Sequence, residues 1–250
     1  MSWSGLRWWL LGAVAYLLFL GLTLPAQFMA DRVSRHLPGL RLTGVTGSIF
    51  SGNAADVLYQ GQSLGAVEWH FDWLAPFSLT LGYRIAAHTD QQYLNARVDA
   101  GFKRLYLRGV DARLPVSALG RLLPLPPDSA EGFLTLHLGQ LTLKDGKLES
   151  AAGEVDLDDA VLKWPAAATL GSFRGVLTPA VAGGIQAELE DVASPFKFHA
   201  DFSLSTEGAY HLKGTLAATD PGDQATRQLL SNLGSPDSTG QYPFDFKGQL

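Results

Sequence analysis

The sequence of 250 residues contains no cysteine and little charge. Without cysteine it cannot have a disulfide framework, a thiol nucleophile or a Cys-ligated zinc or iron–sulfur site. Charged residues make up 17% of the chain, against about 25% in an average globular protein. A basic surface is also missing, because 24 acidic residues outnumber 19 basic ones. We therefore expect no nucleic-acid partner.

The first 24 residues carry a single charged side chain, Arg7. The uncharged stretch at residues 8–26 has the length of a membrane-spanning helix, which needs about 17–25 residues. Arg7 and the amino terminus predict a cytoplasmic amino-terminal end. The alternative is a cleaved signal peptide, which has an apolar core of only about 7–15 residues and a site between small residues. The predicted anchor residues are Arg7, Trp8, Trp9, Tyr16, Phe19 and Leu24.

This interpretation divides the first 39 residues into three parts. Residues 1–7 form a cytoplasmic stub, residues 8–26 a transmembrane helix, and residues 27–39 a juxtamembrane helix and linker that ends near a Pro-Gly pair. The body after residue 39 then lies outside the cytoplasm.

Apolar and polar residues alternate through most of the body, as in Val67–Trp73 and Phe196–Leu204. A period of two is typical of β-strands with one wet face. We count about fifteen strands joined by short turns, which favours antiparallel meanders. Two short helices are predicted, at residues 115–123 and from Asp220 onward. The expected fold is mainly β: an N-terminal transmembrane helix followed by an elongated, curved antiparallel sheet, forming an open groove or half-barrel.

An internal repeat relates two stretches of 15 residues at a constant offset of 109. Each stretch follows a strand and a helical segment, so we interpret the repeat as a duplication. The predicted units are residues 40–141 and 142–250. The repeat residues are Pro127, Asp128, Ser129, Gly139, Gln140 and Leu141 in the first copy, and Pro236, Asp237, Ser238, Gly248, Gln249 and Leu250 in the second.

No catalytic, cofactor-binding or metal site is expected. The six histidines are dispersed, and none of the standard hydrolase or nucleotide-binding patterns occurs. The run Ser194 to Lys197 matches a Ser-x-x-Lys motif by letter, but it opens a strand rather than a helix. The acids at Asp156, Asp158 and Asp159 do not have the spacing of an EF-hand and are interpreted as a solvated strand face.

One aromatic group can be interpreted in two ways. The ordinary interpretation is an aromatic core layer. The alternative is an apolar groove or edge that takes a lipid chain or a partner strand, because the edges of an open sheet must be paired, covered or used. The residues concerned are Phe50, Trp69, Phe71, Trp73 and Phe77.

Four segments resemble the protein N family of the bacterial type II secretion system. The first is Leu24 to Ala26, which closes the anchor, and the second is the glycine-rich stretch Gly44 to Gly52. The third is Leu64 to Phe71, and the fourth is Leu233 to Tyr242. They occur in this order along essentially the whole chain.

The resemblance implies a single-pass inner-membrane protein with a periplasmic C-terminal domain. Such a protein would assist export of folded proteins across the outer membrane by interacting with other secretion components in the inner membrane and periplasm. It implies no catalytic residue and no cofactor. The alternative is an AsmA-like periplasmic β-groove that binds or transports lipid, since these proteins share the anchor and the β-rich body.

Overall fold

The protein is described by a computed structural model. It covers residues 24–36, 39–59, 62–63, 65–73, 75, 80–89, 92–119, 129–163, 167–220 and 235–249, with the single residues 9, 12, 16, 222, 226 and 230. Helix α1 spans Ala26–His36 and helix α2 spans Val116–Leu119. The strands are β1 (Leu40–Thr43), β2 (Thr46–Gly47), β3 (Ser51–Ala54), β4 (Asp56–Tyr59), β5 (Gln62–Ser63), β6 (Ala66–Asp72), β7 (Leu81–His88), β8 (Tyr93–Ala100), β9 (Arg104–Pro115), β10 (Ala130–Lys144), β11 (Lys147–Leu162), β12 (Ala168–Pro179), β13 (Ile185–Ala193), β14 (Phe196–Leu204), β15 (Ala209–Ala218) and β16 (Tyr242–Gln249).

One large sheet dominates the described residues. Its 13 strands lie in the order β16-β15-β14-β13-β12-β11-β10-β9-β8-β7-β6-β3-β2, and strands β1, β4 and β5 form a separate small sheet. All neighbours in the large sheet are antiparallel. From β6 to β16, strands that follow one another along the chain are neighbours in space. The prediction of a mainly β protein with a large antiparallel sheet is thus confirmed.

The pairing register places apolar residues on one face of the sheet. Trp69 of β6 lies opposite Ile85 of β7, which lies opposite Ala96 of β8. Leu136 of β10 lies between Ala112 of β9 and Val155 of β11. In the second half of the sheet the same face carries Leu189, Ala200 and Gly214 in one row. The alternation in the sequence therefore separates an apolar face from a polar face across the whole sheet.

The best-buried cluster on the apolar face lies at the middle of the sheet. It consists of Ala96, Val110 and Leu138, which are 9%, 7% and 6% exposed. Six partly buried side chains pack against it: Leu94, Leu107, Leu136, Leu141, Val155 and Leu177. The larger side chains around this cluster are therefore only partly covered.

A β-bulge interrupts the pairing of β10 with β11 between Leu138 and Gln140. Gly153 lies opposite the bulge with φ at 147°, and a Cβ there would lie 2.3 Å from the carbonyl oxygen of His137. Only glycine fits this position without strain.

Strand β10 also runs through residues 141 and 142, so the predicted boundary between the two units falls inside a strand.

The predicted transmembrane helix, residues 8–26, lies almost entirely outside the described residues. Trp9, Gly12 and Tyr16 are described as helical, whereas Arg7, Trp8 and Phe19 are outside. No helix among the described residues is both long enough and apolar enough to cross a membrane. Most of the two predicted short helices also lies outside the described residues; α2 falls within the first of them.

Two glycines in strands of the large sheet, Gly214 of β15 and Gly139 of β10, are expected to respond differently to substitution by alanine. In Gly214→Ala the new Cβ would meet the His199 carbonyl oxygen at 2.3 Å and the Ala200 Cα at 2.7 Å. We expect the free energy of unfolding to fall by about 1–3 kcal/mol, the usual effect of overpacking. The matched control is Gly139→Ala, whose Cβ would have its nearest neighbour at 3.9 Å. Denaturant titration followed by circular dichroism should show no loss for the control, and equal losses would contradict the prediction.

Candidate functional site

Three of the predicted aromatic residues form one cluster near the start of the large sheet. The ring centroids of Phe50 and Phe71 lie 5.1 Å apart, and those of Phe71 and Trp73 also lie 5.1 Å apart, both edge to face. Trp73 stacks on Phe50 at 4.9 Å and 23°. The backbone holds this arrangement, because the N–H of Phe71 donates to the carbonyl oxygen of Phe50 at 2.6 Å.

The cluster has a buried base and an exposed top. Phe71 is 8% exposed, whereas Trp73 is 54% exposed. Core packing therefore accounts for Phe71, but it leaves half of the Trp73 surface in solvent. An exposed, rigidly stacked indole is typical of a binding surface.

The remaining members of the predicted group behave differently. The Nε1–H of Trp69 donates to the carbonyl oxygen of Ser48 at 3.1 Å, and its ring covers Gly52, where a Cβ would lie 2.6 Å from the ring. Trp69 is thus held in place by the turn before β3. Phe77 lies outside the described residues.

Sequence reasoning missed Tyr83 as a member of the cluster. Its ring centroid lies 5.2 Å from that of Phe71, its cross-strand partner in β6. Burial raises the pKa of the Tyr83 phenol above its ordinary value. The alternation in β7 places Tyr83 on the apolar face, but only the β6–β7 register brings it to Phe71.

An apolar cavity of about 220 Å³ lies between helix α1 and the apolar face of the sheet. Ala26 and Ala30 line it from the helix. The large sheet contributes Val67, Trp69, Tyr83, Ile85 and Val98, and strand β1 of the small sheet contributes Leu42. The cavity shares Trp69 and Tyr83 with the aromatic region, so the two form one continuous apolar surface.

A second aromatic group lies on the same face at the other end of the sheet. Phe198 of β14 is 5.5 Å from Phe173 and 6.0 Å from Phe244 by ring centroids. Phe244 stacks in turn on Phe246 at 5.8 Å, and Phe246 is 53% exposed. The sequence shows each phenylalanine in an alternating strand, but the order of strands is needed to bring them together.

The polar face carries a row of basic side chains in register across four strands: His70, Arg84, Arg97 and Arg108. Like charges in opposite positions are unfavourable, and two acids compensate them. Arg97 pairs with Asp72 and lies 3.7 Å from Asp99, while Arg108 lies 3.5 Å from the same Asp99. Asp99 is only 3% exposed, so this ion cluster joins β6, β8 and β9.

Among the described residues, one group of three side chains could hold a metal ion: Glu188, Glu190 and His199. All three are exposed, and the His199 Nδ1 lies 3.9 Å from Glu190. Two of the acids discussed in the sequence analysis lie close to arginine side chains. Asp156 pairs with Arg174 at 2.6 Å, and Asp158 lies 3.8 Å from Arg113.

The two copies of the sequence repeat differ in the direction of their side chains. Phe133 lies on the polar face beneath Arg113, whose Cζ is 4.7 Å from the ring centroid. The matching Tyr242 pairs with Leu216 and so shares the apolar face with Phe244. The bulge next to Gly139 accounts for the difference, because one extra residue in β10 reverses the faces.

The second copy of the Pro-Asp-Ser stretch forms a tight turn before β16. The Asp237 carboxylate accepts from the Thr239 hydroxyl at 2.6 Å, the Thr239 N–H at 2.8 Å and the Gln241 N–H at 3.0 Å. The Thr239 hydroxyl, followed by these backbone N–H groups, lowers the pKa of Asp237. In the first copy Pro127 and Asp128 lie outside the described residues, and Ser129 is buried.

The fold and the site define a β-sheet protein with one apolar face, which carries exposed aromatic rings at both ends. The family model of type II secretion system (T2SS) protein N matches residues 38–245 of this sequence. The chain therefore belongs to that family, as the resemblance predicted, and is a component of type II secretion.

Three curated relatives, all described as type II secretion system protein N, support this assignment. The chain is 29% identical to the Vibrio cholerae protein over 238 residues, covering 91% of each chain. It is 26% identical to the Klebsiella pneumoniae protein, covering 96% of this chain and 94% of the relative. It is 28% identical to the Aeromonas hydrophila protein, covering 95% of each. No solved structure matches this chain significantly.

The turn at Asp237 leads to a prediction about pH. A carboxyl whose pKa is lowered by folding stabilises the protein above its unfolded value of about 4, and this contribution is lost as the pH falls through the folded pKa. Asp237→Ala should therefore lower the melting temperature at pH 7 and have little effect near pH 2. Ser238→Ala, at the exposed neighbouring position, is the control. An Asp237→Ala effect that is the same at both pH values would contradict the prediction.

Proposed function

We propose that this protein is anchored in the inner membrane, extends into the periplasm and helps the secretion machine export folded proteins across the outer membrane. It does so by binding other components of the machine and without catalysing a reaction. The family membership over residues 38–245 carries the assignment to secretion. The uncharged segment at residues 8–26 supports the anchor, since it has the length of a bilayer span.

The proposed partner-binding site is the cluster Phe50, Phe71, Trp73 and Tyr83. Interface hot spots are enriched in tryptophan and tyrosine. Binding is stabilised when the partner removes such a rigid aromatic side chain from water. Trp73 meets this description, because Phe50 and Phe71 fix its ring while half of its surface stays exposed. The acidic chain, with 24 acids against 19 bases, favours a protein partner over nucleic acid.

Co-purification from gently solubilised membranes tests this proposal. Trp73→Ala should reduce retention of the other secretion components at least about tenfold, the usual effect of losing an aromatic hot spot. The matched control is Phe102→Ala, because Phe102 is 99% exposed but lies in the β8–β9 turn, away from the cluster. If the unsubstituted protein retains no secretion component, or if both variants lose them equally, the proposal fails.

A second candidate function, a lipid-binding groove, is favoured by the cavity beneath α1. Its lining is apolar on both sides, and the neighbouring sheet face is only partly covered. In this alternative the sheet is an open groove of the AsmA-like kind, and the acyl chain lies between α1 and strands β6–β8. Apolar lining of this kind suits a hydrocarbon chain.

Filling the cavity separates the two candidate functions. Ala30→Phe places a ring in the cavity from the helix side, so it should reduce the amount of lipid that co-purifies and is detected by mass spectrometry. Gln27→Phe, at an exposed position of the same helix, is the control. If the unsubstituted protein carries no lipid, or if Ala30→Phe carries as much as the control, the lipid function is excluded.

A further inference from the structure

Strand β16 forms one end of the large sheet. It pairs with β15 along its whole length, from Tyr242 opposite Leu216 to Gln249 opposite Ala209. Within the described ranges no strand pairs with its other side. The opposite end of the sheet is strand β2, which has only two residues. Among the described strands, the long open edge is therefore that of β16.

The hairpin between β14 and β15 shows which backbone groups of β16 face outward. The N–H of Ser205 donates to the carbonyl oxygen of Ala209 at 2.8 Å, so the backbone groups of Ala209 face β14. Backbone groups alternate in direction along a strand, so Tyr210 and every second residue after it face β16. Their partners are Tyr242, Phe244, Phe246 and Gly248. The outward groups therefore belong to the other four residues, Pro243, Asp245, Lys247 and Gln249.

The side chains of this edge carry two complementary features. On the apolar face, Phe246 is 53% exposed, because it has a neighbour on the β15 side only. On the polar face, Asp245 and Lys247 lie two residues apart, with Asp245 Oδ1 2.9 Å from His211 Nε2 and 3.7 Å from Lys247 Nζ. One acid and one base thus lie one residue before and one residue after Phe246 along the strand, on the opposite face.

We propose that β16 pairs antiparallel with β16 of a second copy of this chain, about a two-fold axis at Phe246. In this register Asp245 of each copy lies opposite Lys247 of the other. Each such pair exchanges two backbone hydrogen bonds, because both residues face outward. The two Phe246 rings meet on the apolar face, and Phe244 lies opposite Gly248, which the ring of Tyr210 covers.

The charges select this register among the antiparallel ones. A shift by two residues in one direction places Asp245 opposite Asp245, and a shift in the other direction places Lys247 opposite Lys247. Both shifts oppose like charges, which destabilises a strand pair. Pro243, which has no N–H, lies opposite Gln249 at the outer end, so its missing donor costs one hydrogen bond in each half of the interface.

Self-complementarity argues for a second copy as the occupant. A two-fold interface requires the same patch on both chains to match itself, and the sequence Asp245-Phe246-Lys247 does so about its central residue. The two apolar faces also lie on the same side, so the dimer extends the apolar face across the axis. Proline and lysine at an edge often prevent pairing; here an acid on the second copy compensates the lysine.

Disulfide trapping tests the axis, since the chain has no cysteine of its own. In the full-length Phe246→Cys variant the two Cα atoms would lie about 4.5 Å apart, within disulfide range. We expect the majority of the protein to form a covalent dimer under mild oxidation. The matched control is Phe244→Cys, on the same strand and face, where the two Cα atoms would lie roughly 13 Å apart. No dimer from Phe246→Cys, equal dimer from both variants, or a link to a different protein would each overturn the proposal.

Charge reversal tests the register independently. Asp245→Lys alone and Lys247→Asp alone each oppose like charges at both symmetric positions, so each should raise the dimer dissociation constant about tenfold or more. The double variant should restore it to near the original value, which also shows that the single variants fail through charge and not through misfolding. Lys163→Asp, which breaks the exposed Lys163–Glu131 pair, should leave it unchanged. A monomer by sedimentation in detergent, or no recovery in the double variant, would overturn the proposal.

Discussion

The constraint on which this structure depends is the single layer of its sheet. Thirteen strands place their apolar side chains on one face, and among the described residues helix α1 and Leu42 of strand β1 cover part of it. Burial is therefore best at small residues such as Ala112 and Ala200, which are 0% exposed. Large side chains such as Trp73 and Phe246 remain half exposed. Because the chain has no disulfide, strand pairing and this incomplete burial hold the sheet together.

The polar face contributes to stability through charge compensation. Asp99 is almost fully buried between Arg97 and Arg108, at 3.7 and 3.5 Å. A buried carboxylate without these partners would be costly. Asp191 of β13 lies on the other face, opposite Phe173. Burial alone would raise its pKa, but the Phe198 N–H and Lys197 Nζ, at 2.8 and 3.1 Å, hold the pKa below its ordinary value. These acids therefore link neighbouring strands, which explains why an acidic protein keeps carboxylates at such covered positions.

The sequence was sufficient to predict the strands and the two faces of the sheet, because alternation along a strand follows from backbone geometry. The alternation in Val67–Trp73 places Phe71 and Trp73 on the same face, and in the structure their rings are in contact. It could not predict that Tyr83 contacts Phe71, because that contact depends on the register of two strands. The sequence repeat also does not show that Phe133 and the matching Tyr242 lie on opposite faces, because one extra residue at the bulge beside Gly139 reverses the direction of Phe133. The position of a bulge depends on how a strand pairs with its neighbours, so the alternation within one strand does not show it.

The two candidate functions answer the same physical question, namely what covers the rest of the apolar face. A face of this size is rare on a protein that acts alone. Membership of a multi-protein secretion machine supplies protein partners that can cover it, and the wholly apolar lining of the cavity beneath α1 suits a hydrocarbon chain. The fixed ring of Trp73 favours the protein partner at the β6 end, because a stacked indole provides directional packing that a fluid acyl chain does not need.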